Sequence, residues 1–295
     1  MENILSLTNI SKSYGNIQAL KNVSFEVPAG SVFGILGPNG SGKTTLLGIV
    51  LDVLKADNGN FSWLNGMNPD DARKQIGSLL ETPNFYHYLS AFDNLEIVGV
   101  IKQKDKKDRE RVLKAVGLYE RKDSKFQTFS LGMKQRLAIG SALLGNPKVL
   151  VLDEPTNGLD PAGIAEIRSM IKELNRSGIT VVMASHLLDE VEKVCTHVAI
   201  LKRGDLLLSG KVEEVLSNED RVELKADDLS QLENILKELS SLQKIQISDG
   251  FVYAYGHDLD LKFINQYCMQ KGIVLSHLLQ KKKSLESKFI ELTEK

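Results

Sequence analysis

Cysteine is almost missing from this chain: of 295 residues only Cys195 and Cys268 are cysteines, far apart and without metal-ligand spacing. That excludes a disulfide framework and suits a reducing compartment. An excess of either charge is missing too. Lys and Arg number 37 against 38 Asp and Glu, a formal net charge of −1, which argues against a protein organised mainly around nucleic acid. Long apolar runs are also lacking. The longest, such as Val149–Leu152 and Ile179–Ala184, suit buried strands and fall short of a membrane span. The opening MENILSLTNISKSYG has no basic region followed by an apolar core, so no signal peptide is expected. What is present is ordinary for a globular protein, 42% hydrophobic and 25% charged, with chain enough for one large domain or two.

One stretch stands out. Gly37, Pro38, Asn39, Gly40, Ser41, Gly42, Lys43, Thr44 and Thr45 spell GPNGSGKTT, after the apolar run Val32–Leu36 and before a segment with helical apolar spacing. Strand, glycine-rich loop and helix N-terminus make a phosphate-binding P-loop. Backbone N–H groups converge on phosphate oxygens where no Cβ crowds them, and the helix adds the positive end of its dipole. Lys43 supplies a point charge for the β- and γ-phosphates, and the Thr44 hydroxyl suits Mg²⁺.

Residues 3–10 and 22–27 alternate apolar with polar and predict antiparallel strands. Asn58-Gly59 and Asn65-Gly66 predict another strand pair around FSWL. From about Ser90 to Leu118 the pattern is helical; its charge-dense piece, KQKDKKDRERVLKAVGL, reads as a solvated face or as a membrane or partner patch. The runs Val149–Leu152 and Val181–Ala184, with the helical segment Gly163–Asn175 between them, imply a parallel sheet covered on both faces. Ile200–Arg203 and Leu206–Ser209 suggest a small terminal hairpin. The expected domains are 1–218 and 219–295. The second reads β-α-β-β-α-β with an added helix, a ferredoxin-like order whose hairpin turns at Asp249-Gly250.

VLVLDE, Val149–Glu154, places two carboxylates at the C-terminal end of a buried strand, where open parallel sheets bind ligands. Asp153 is expected to hold Mg²⁺ opposite Thr44, and Glu154 to position or deprotonate a water. SLGMKQR lies before this strand, Leu159-Asp160 directly after it, and His186 follows the strand Val181–Ala184. With Tyr14 near the N-terminus, these motifs closely resemble the ATP-binding subunit of an ABC transporter over about residues 3–215.

The resemblance implies an α/β P-loop NTPase fold: a mixed sheet with an antiparallel β subdomain and a helical subdomain. It implies ATP and Mg²⁺ as cofactors and Mg-dependent ATP hydrolysis. Tyr14 looks like the aromatic that stacks on adenine, Asp153 like the Walker B aspartate, Glu154 like the catalytic carboxylate and His186 like the switch histidine; Lys43 completes the catalytic set. Asn157–Asp160 is similar to the D-loop. Ser130 and Gly132 belong to the signature motif, which in this family contacts the γ-phosphate on the opposite subunit. The implied working unit is therefore a head-to-tail pair of chains, driving a separate transmembrane permease from the cytoplasmic face of the membrane. No contact with nucleic acid is implied.

Two departures matter. The common signature is LSGGQ, whereas Phe129–Met133 reads FSLGM; Ser130 and Gly132 survive, and Leu131 and Met133 are bulkier. Where the family usually has the Q-loop glutamine, this chain has Glu81, whose carboxylate suits Mg²⁺ better than an amide does. Together these look most like the bacitracin-resistance and ABC-2 exporters of drugs, lantibiotics or other hydrophobic cargo. Phe85, Tyr86 and Tyr88 either line the groove that docks the permease or pack within the helical subdomain. The rival class is a soluble ABC ATPase acting on the ribosome, which carries two nucleotide domains in tandem with a charged linker; this chain has one.

Overall fold

The computed structural model describes residues 2–80, 85–216, 220–256, 259–281 and 285–293. They divide into two compact units, Met1–Lys211 and Val212–Lys295; the boundary expected at Asn218 falls outside the described residues.

The first unit opens with β1 (Asn3–Tyr14) and β2 (Ile17–Pro28), followed by β3 (Val32–Leu36), α1 (Lys43–Val50) and β4 (Asn58–Trp63). Strands β2, β1 and β4 form an antiparallel sheet in that order. The expected second strand beside β4 is not there. Instead Leu64 and Asn65 turn left-handed, at φ +52° and +57°, and lead the chain into α2 (Pro69–Lys74). Asn68 caps that helix by accepting the Asp70 N–H at 3.0 Å, with a proline at its start. Such a cap contributes about 1 kcal/mol, enough to favour a helix where periodicity suggested a returning strand. Strand β4 is held by packing: Trp63 is buried and donates its indole N–H to the Val50 carbonyl at 2.7 Å.

Next come β5 (Ile76–Leu79), α3 (Ala91–Ile101), α4 (Lys106–Ala115) and α5 (Leu131–Leu143). The long helical stretch expected from Ser90 breaks between α3 and α4, where Gln103 takes φ +56°. Ser90 and Asp93 form a reciprocal capping box at the start of α3. The charge-dense run is largely solvated, but Lys102 donates to the carbonyls of Ser141, Ala142 and Leu144 and is only partly exposed. Arg109 is buried, lies 4.8 Å from the Phe92 ring centre and pairs with Glu96 at 3.0 Å.

The unit closes with β6 (Val149–Asp153), α6 (Pro161–Arg176), β7 (Thr180–Ser185), α7 (Leu188–Val194), β8 (His197–Lys202) and β9 (Asp205–Lys211). The six-stranded sheet runs β5-β6-β7-β3-β8-β9, parallel except that β9 returns antiparallel on β8. Every residue of β3, β6 and β7 is buried, as expected for strands covered on both faces. The fold is the mixed sheet with antiparallel and helical subdomains that the sequence implied. Its consequence for function is positional. The C-terminal ends of the neighbouring strands β3, β7 and β6 come together, so the P-loop, His186 and the carboxylates start from one edge.

The second unit comprises α8 (Val212–Leu216), β10 (Asp220–Lys225), α9 (Leu229–Leu236), β11 (Leu242–Ser248), β12 (Phe251–Gly256), α10 (Leu261–Gln270), β13 (His277–Lys281) and α11 (Leu285–Thr293). Its antiparallel sheet is ordered β11-β12-β10-β13. Asp249 and Gly250, at φ +51° and +77°, form the two-residue turn between β11 and β12. Val222, Leu224, Val252 and Ala254 alternate inward and pack with Leu232, Leu236, Ile264 and Cys268 of the helices.

Candidate nucleotide-binding site

Leaving β3, the chain makes the loop Gly37–Gly42 and enters α1 at Lys43. Two glycines are dictated by space. A Cβ on Gly37 would lie 2.3 Å from the Leu201 carbonyl oxygen and 2.4 Å from Ser41 Oγ. Gly42 takes φ +107°, and a Cβ there would lie 2.4 Å from the Ala19 carbonyl oxygen. The loop is thus clamped between β8 and β2. Gly42 provides no side-chain cap for α1, so the N–H groups of the first turn keep no partner within the helix and point out of its end. Ser41 is buried, and its hydroxyl has no hydrogen-bond partner. An orphaned hydroxyl beside an uncapped helix N-terminus fits a phosphate-bearing ligand.

Lys43 is only 6% exposed. Its ammonium donates to the carbonyls of Gly37 at 2.7 Å and Pro38 at 3.2 Å and stands 3.5 Å from Glu154 Oε1. Thr44 Oγ1 donates to Asp153 Oδ2 at 2.8 Å. A hydroxyl and a carboxylate, both hard oxygen donors, therefore already meet, and this pair fits Mg²⁺, which takes few protein ligands and keeps waters and phosphate oxygens. Glu154 breaks the alternation of β6. Successive strand residues face opposite ways, but Glu154 adopts φ +46°, a left-handed conformation that costs a side-chain-bearing residue about 1–2 kcal/mol. The turn brings Glu154 round to Lys43 and His186, whose Nδ1 lies 2.8 Å from Glu154 Oε2.

A cleft of about 470 Å³ lies over these groups, lined by Asn39, Gly40, Lys43, Thr44, Thr45, Glu154 and Tyr14. Tyr14 is 48% exposed, with the Lys12 ammonium 5.7 Å from its ring centre, which leaves a face for a planar ligand to stack on. Ile17, Gln18 and Arg203 line the same cleft and were not singled out from the sequence.

Ser130, Gly132 and Asp160 are elsewhere. They line a second cleft, of about 460 Å³, that shares no residue with the first. Ser130 Oγ accepts the Met133 N–H at 3.2 Å at the start of α5, and Asp160 Oδ1 accepts the Gly163 N–H at 3.0 Å at the start of α6. Leu131 is 51% exposed, beside Gly158. Glu81 lies outside the described residues. Of the three aromatics that follow it, Phe85 packs edge-on against buried Phe126, with ring centres 5.2 Å apart. Tyr86 and Tyr88 are 51% and 66% exposed and meet each other edge to face.

Residues 20–157 match the ABC transporter family model. Over 299 residues the chain is 36% identical to the uncharacterized ABC transporter ATP-binding protein YhcH of Bacillus subtilis (strain 168), covering 99% of this chain and 97% of that protein. This chain belongs to the ABC transporter ATP-binding family. Another relative within the family is the bacitracin transport ATP-binding protein BcrA of Enterococcus faecalis, 32% identical over 99% of this chain and 97% of its own. Among solved structures, a dimeric ATP-binding cassette, MJ0796, in a post-hydrolysis state bound to ADP and Pi superposes with a TM-score of 0.63. It is 29% identical, over 71% of this chain and 99% of the cassette. Among its described residues this ABC chain has no helix long and apolar enough to cross a membrane.

Proposed function

We propose that this chain is the ATP-hydrolysing subunit of a two-component exporter, working as a head-to-tail pair beneath a separate permease. The observation that carries the proposal is the division of the motifs between two clefts. Lys43, Thr44, Glu154 and Tyr14 line one, while Ser130, Gly132 and Asp160 line another. A second copy, turned head to tail, brings its second cleft over the first cleft of its partner and completes two sites.

In this reading Tyr14 stacks on the adenine ring. Lys43, now turned onto its own loop carbonyls, exchanges them for β- and γ-phosphate oxygens. Thr44 and Asp153 would hold Mg²⁺, which would supply positive charge to neutralise the phosphates. Glu154 accepts a hydrogen bond from the attacking water and takes its proton on Oε, and His186 keeps that carboxylate aimed. Ser130 and Gly132 contact the γ-phosphate held by the partner chain, and Asp160 sets the segment beside them. Glu81 is proposed as an additional Mg²⁺ ligand.

The exposed pair Tyr86 and Tyr88 is the proposed docking point for the permease, because aromatic anchors dominate such contacts; the proposed location is the cytoplasmic face of the membrane, beneath that permease. Peptide antibiotics are the proposed cargo class, by likeness to the bacitracin transport protein. Residues 219–295 are proposed as a ferredoxin-like accessory domain, on their β-α-β-β-α-β order. The test is to purify the tagged chain from its native membranes. Recovery of an integral membrane protein without a nucleotide domain is expected; recovery with ribosomes instead would sink the proposal.

A further inference from the structure

Between β8 and β9 the chain reverses through two residues only, Arg203 and Gly204, with Lys202 paired to Asp205. Both take positive φ, +50° and +85°, the signature of a two-residue turn in which Asn-Gly is the favoured pair. An arginine here bears the left-handed conformation without the local hydrogen bonds that make it tolerable for Asn. Strain kept at one position points to a use for its side chain.

The turn is also fixed in place. The Gly204 N–H donates to the Ser41 carbonyl at 3.1 Å, the Gly204 carbonyl accepts the Lys21 N–H at 2.8 Å, and the Lys21 ammonium pairs with Asp205 at 2.7 Å. A Cβ on Gly204 would sit 2.9 Å from the Ala19 carbonyl oxygen. The tip is thus tied at once to the P-loop and to β2. From there Arg203 lines the first cleft, together with Tyr14, Ile17, Gln18 and residues of the P-loop. It is exposed, whereas Lys43 lies buried at the P-loop end, occupied by two carbonyls and Glu154.

We infer that Arg203 is a nucleotide-contacting residue that grips the α-phosphate, so that the site binds ATP and ADP through one shared contact besides the P-loop. The inference rests on the nucleotide reading of the first cleft. On that reading the base lies at Tyr14 and the γ-phosphate at Lys43, which leaves the α-phosphate as the anionic group next to the rim. A guanidinium there gains charge-assisted hydrogen bonds with phosphate oxygens, partly screened by water. Arg203 and the turn strain are then two sides of one arrangement: stability is given up for a cation at a fixed height above the P-loop.

Arg203→Asn separates this from a structural role, because the two predict opposite signs. Asn suits the turn, so the urea midpoint of the nucleotide-free full chain should rise. Calorimetric affinity for both ATP and ADP should fall, by a common factor of about five, the scale of one partly exposed charge-assisted bond. Arg203→Lys keeps the charge and loses the guanidinium fork, so its affinity for both nucleotides should fall less than that of Arg203→Asn. Unchanged affinity in Arg203→Asn, a fall for ATP alone, or a fall accompanied by a lower urea midpoint would each overturn the assignment. Lys43→Ala is the control for the underlying reading. If it loses nucleotide while Arg203→Asn does not, only the inference about Arg203 fails; if it binds normally, the nucleotide reading itself fails.

Discussion

Replacing Glu154 by glutamine keeps shape and removes one charge, and the geometry gives that change two opposite effects. Oε1 stands 3.5 Å from the Lys43 ammonium. Unit charges at that distance attract by about 5 kcal/mol at an effective dielectric constant of ~20. The Glu154 side chain is 22% exposed, and Lys43 keeps its two loop carbonyls whether or not Glu154 is charged. Screening and these partners reduce the net hold to about 1 kcal/mol. In Glu154→Gln the lysine is released for phosphate, so ATP should bind about five-fold more tightly. Turnover should go the other way. An amide has no basic oxygen to take a proton from water, and loss of a positioned general base costs about 10²–10⁴-fold. Phosphate release, calorimetry and size-exclusion chromatography with ATP would measure the two effects and the nucleotide-trapped pair they should produce. Weaker ATP binding, or turnover within ten-fold of wild type, would refute the reasoning.

Gly42→Ala forces a left-handed alanine and places its Cβ 2.4 Å from a backbone oxygen of β2, so the chain should lose about 2–4 kcal/mol in urea denaturation along with most of its nucleotide affinity. An unchanged midpoint would mean that the clamp on the loop is not as described. Cys195 is 7% exposed, and burial pushes its thiol well above the ordinary range. The thiolate is the reactive form, so iodoacetamide at pH 8 should leave Cys195 unmodified in the folded chain and alkylate it in urea, as read by peptide mass spectrometry. Rapid labelling without denaturant would contradict that burial.

The sequence was most informative where chemistry is local. The P-loop reads directly because the residues that clamp and charge it are consecutive, and Asp153 and Glu154 read because the apolar run Val149–Leu152 ends there. Left-handed Glu154 was not legible: its backbone is set by β7, where the Ala184 carbonyl accepts its N–H at 3.0 Å. Helix α2 was missed although Asn68 and Pro69 announce it, because the two Asn-Gly pairs nearby gave a stronger hairpin signal. The division into two clefts depends on how α5 and α6 are carried relative to the sheet, which no short window of sequence contains. Arg203 had one signal available, an arginine where a tight turn prefers asparagine. It acquires meaning only once β8 and β9 are laid against the P-loop.

The two clefts have a consequence that is genetic in form. If each working site draws its P-loop from one chain and Ser130 and Gly132 from the other, a damaged residue in the second cleft harms the neighbour's nucleotide and not its own. A chain crippled at Lys43 and a chain crippled at Gly132 would each be inactive alone. Paired together, they would concentrate both injuries in one site and leave the other whole. Inheritance of function in mixtures would then follow the seam between chains, and a broken copy would count as a lesion or as a donor according to the partner it met.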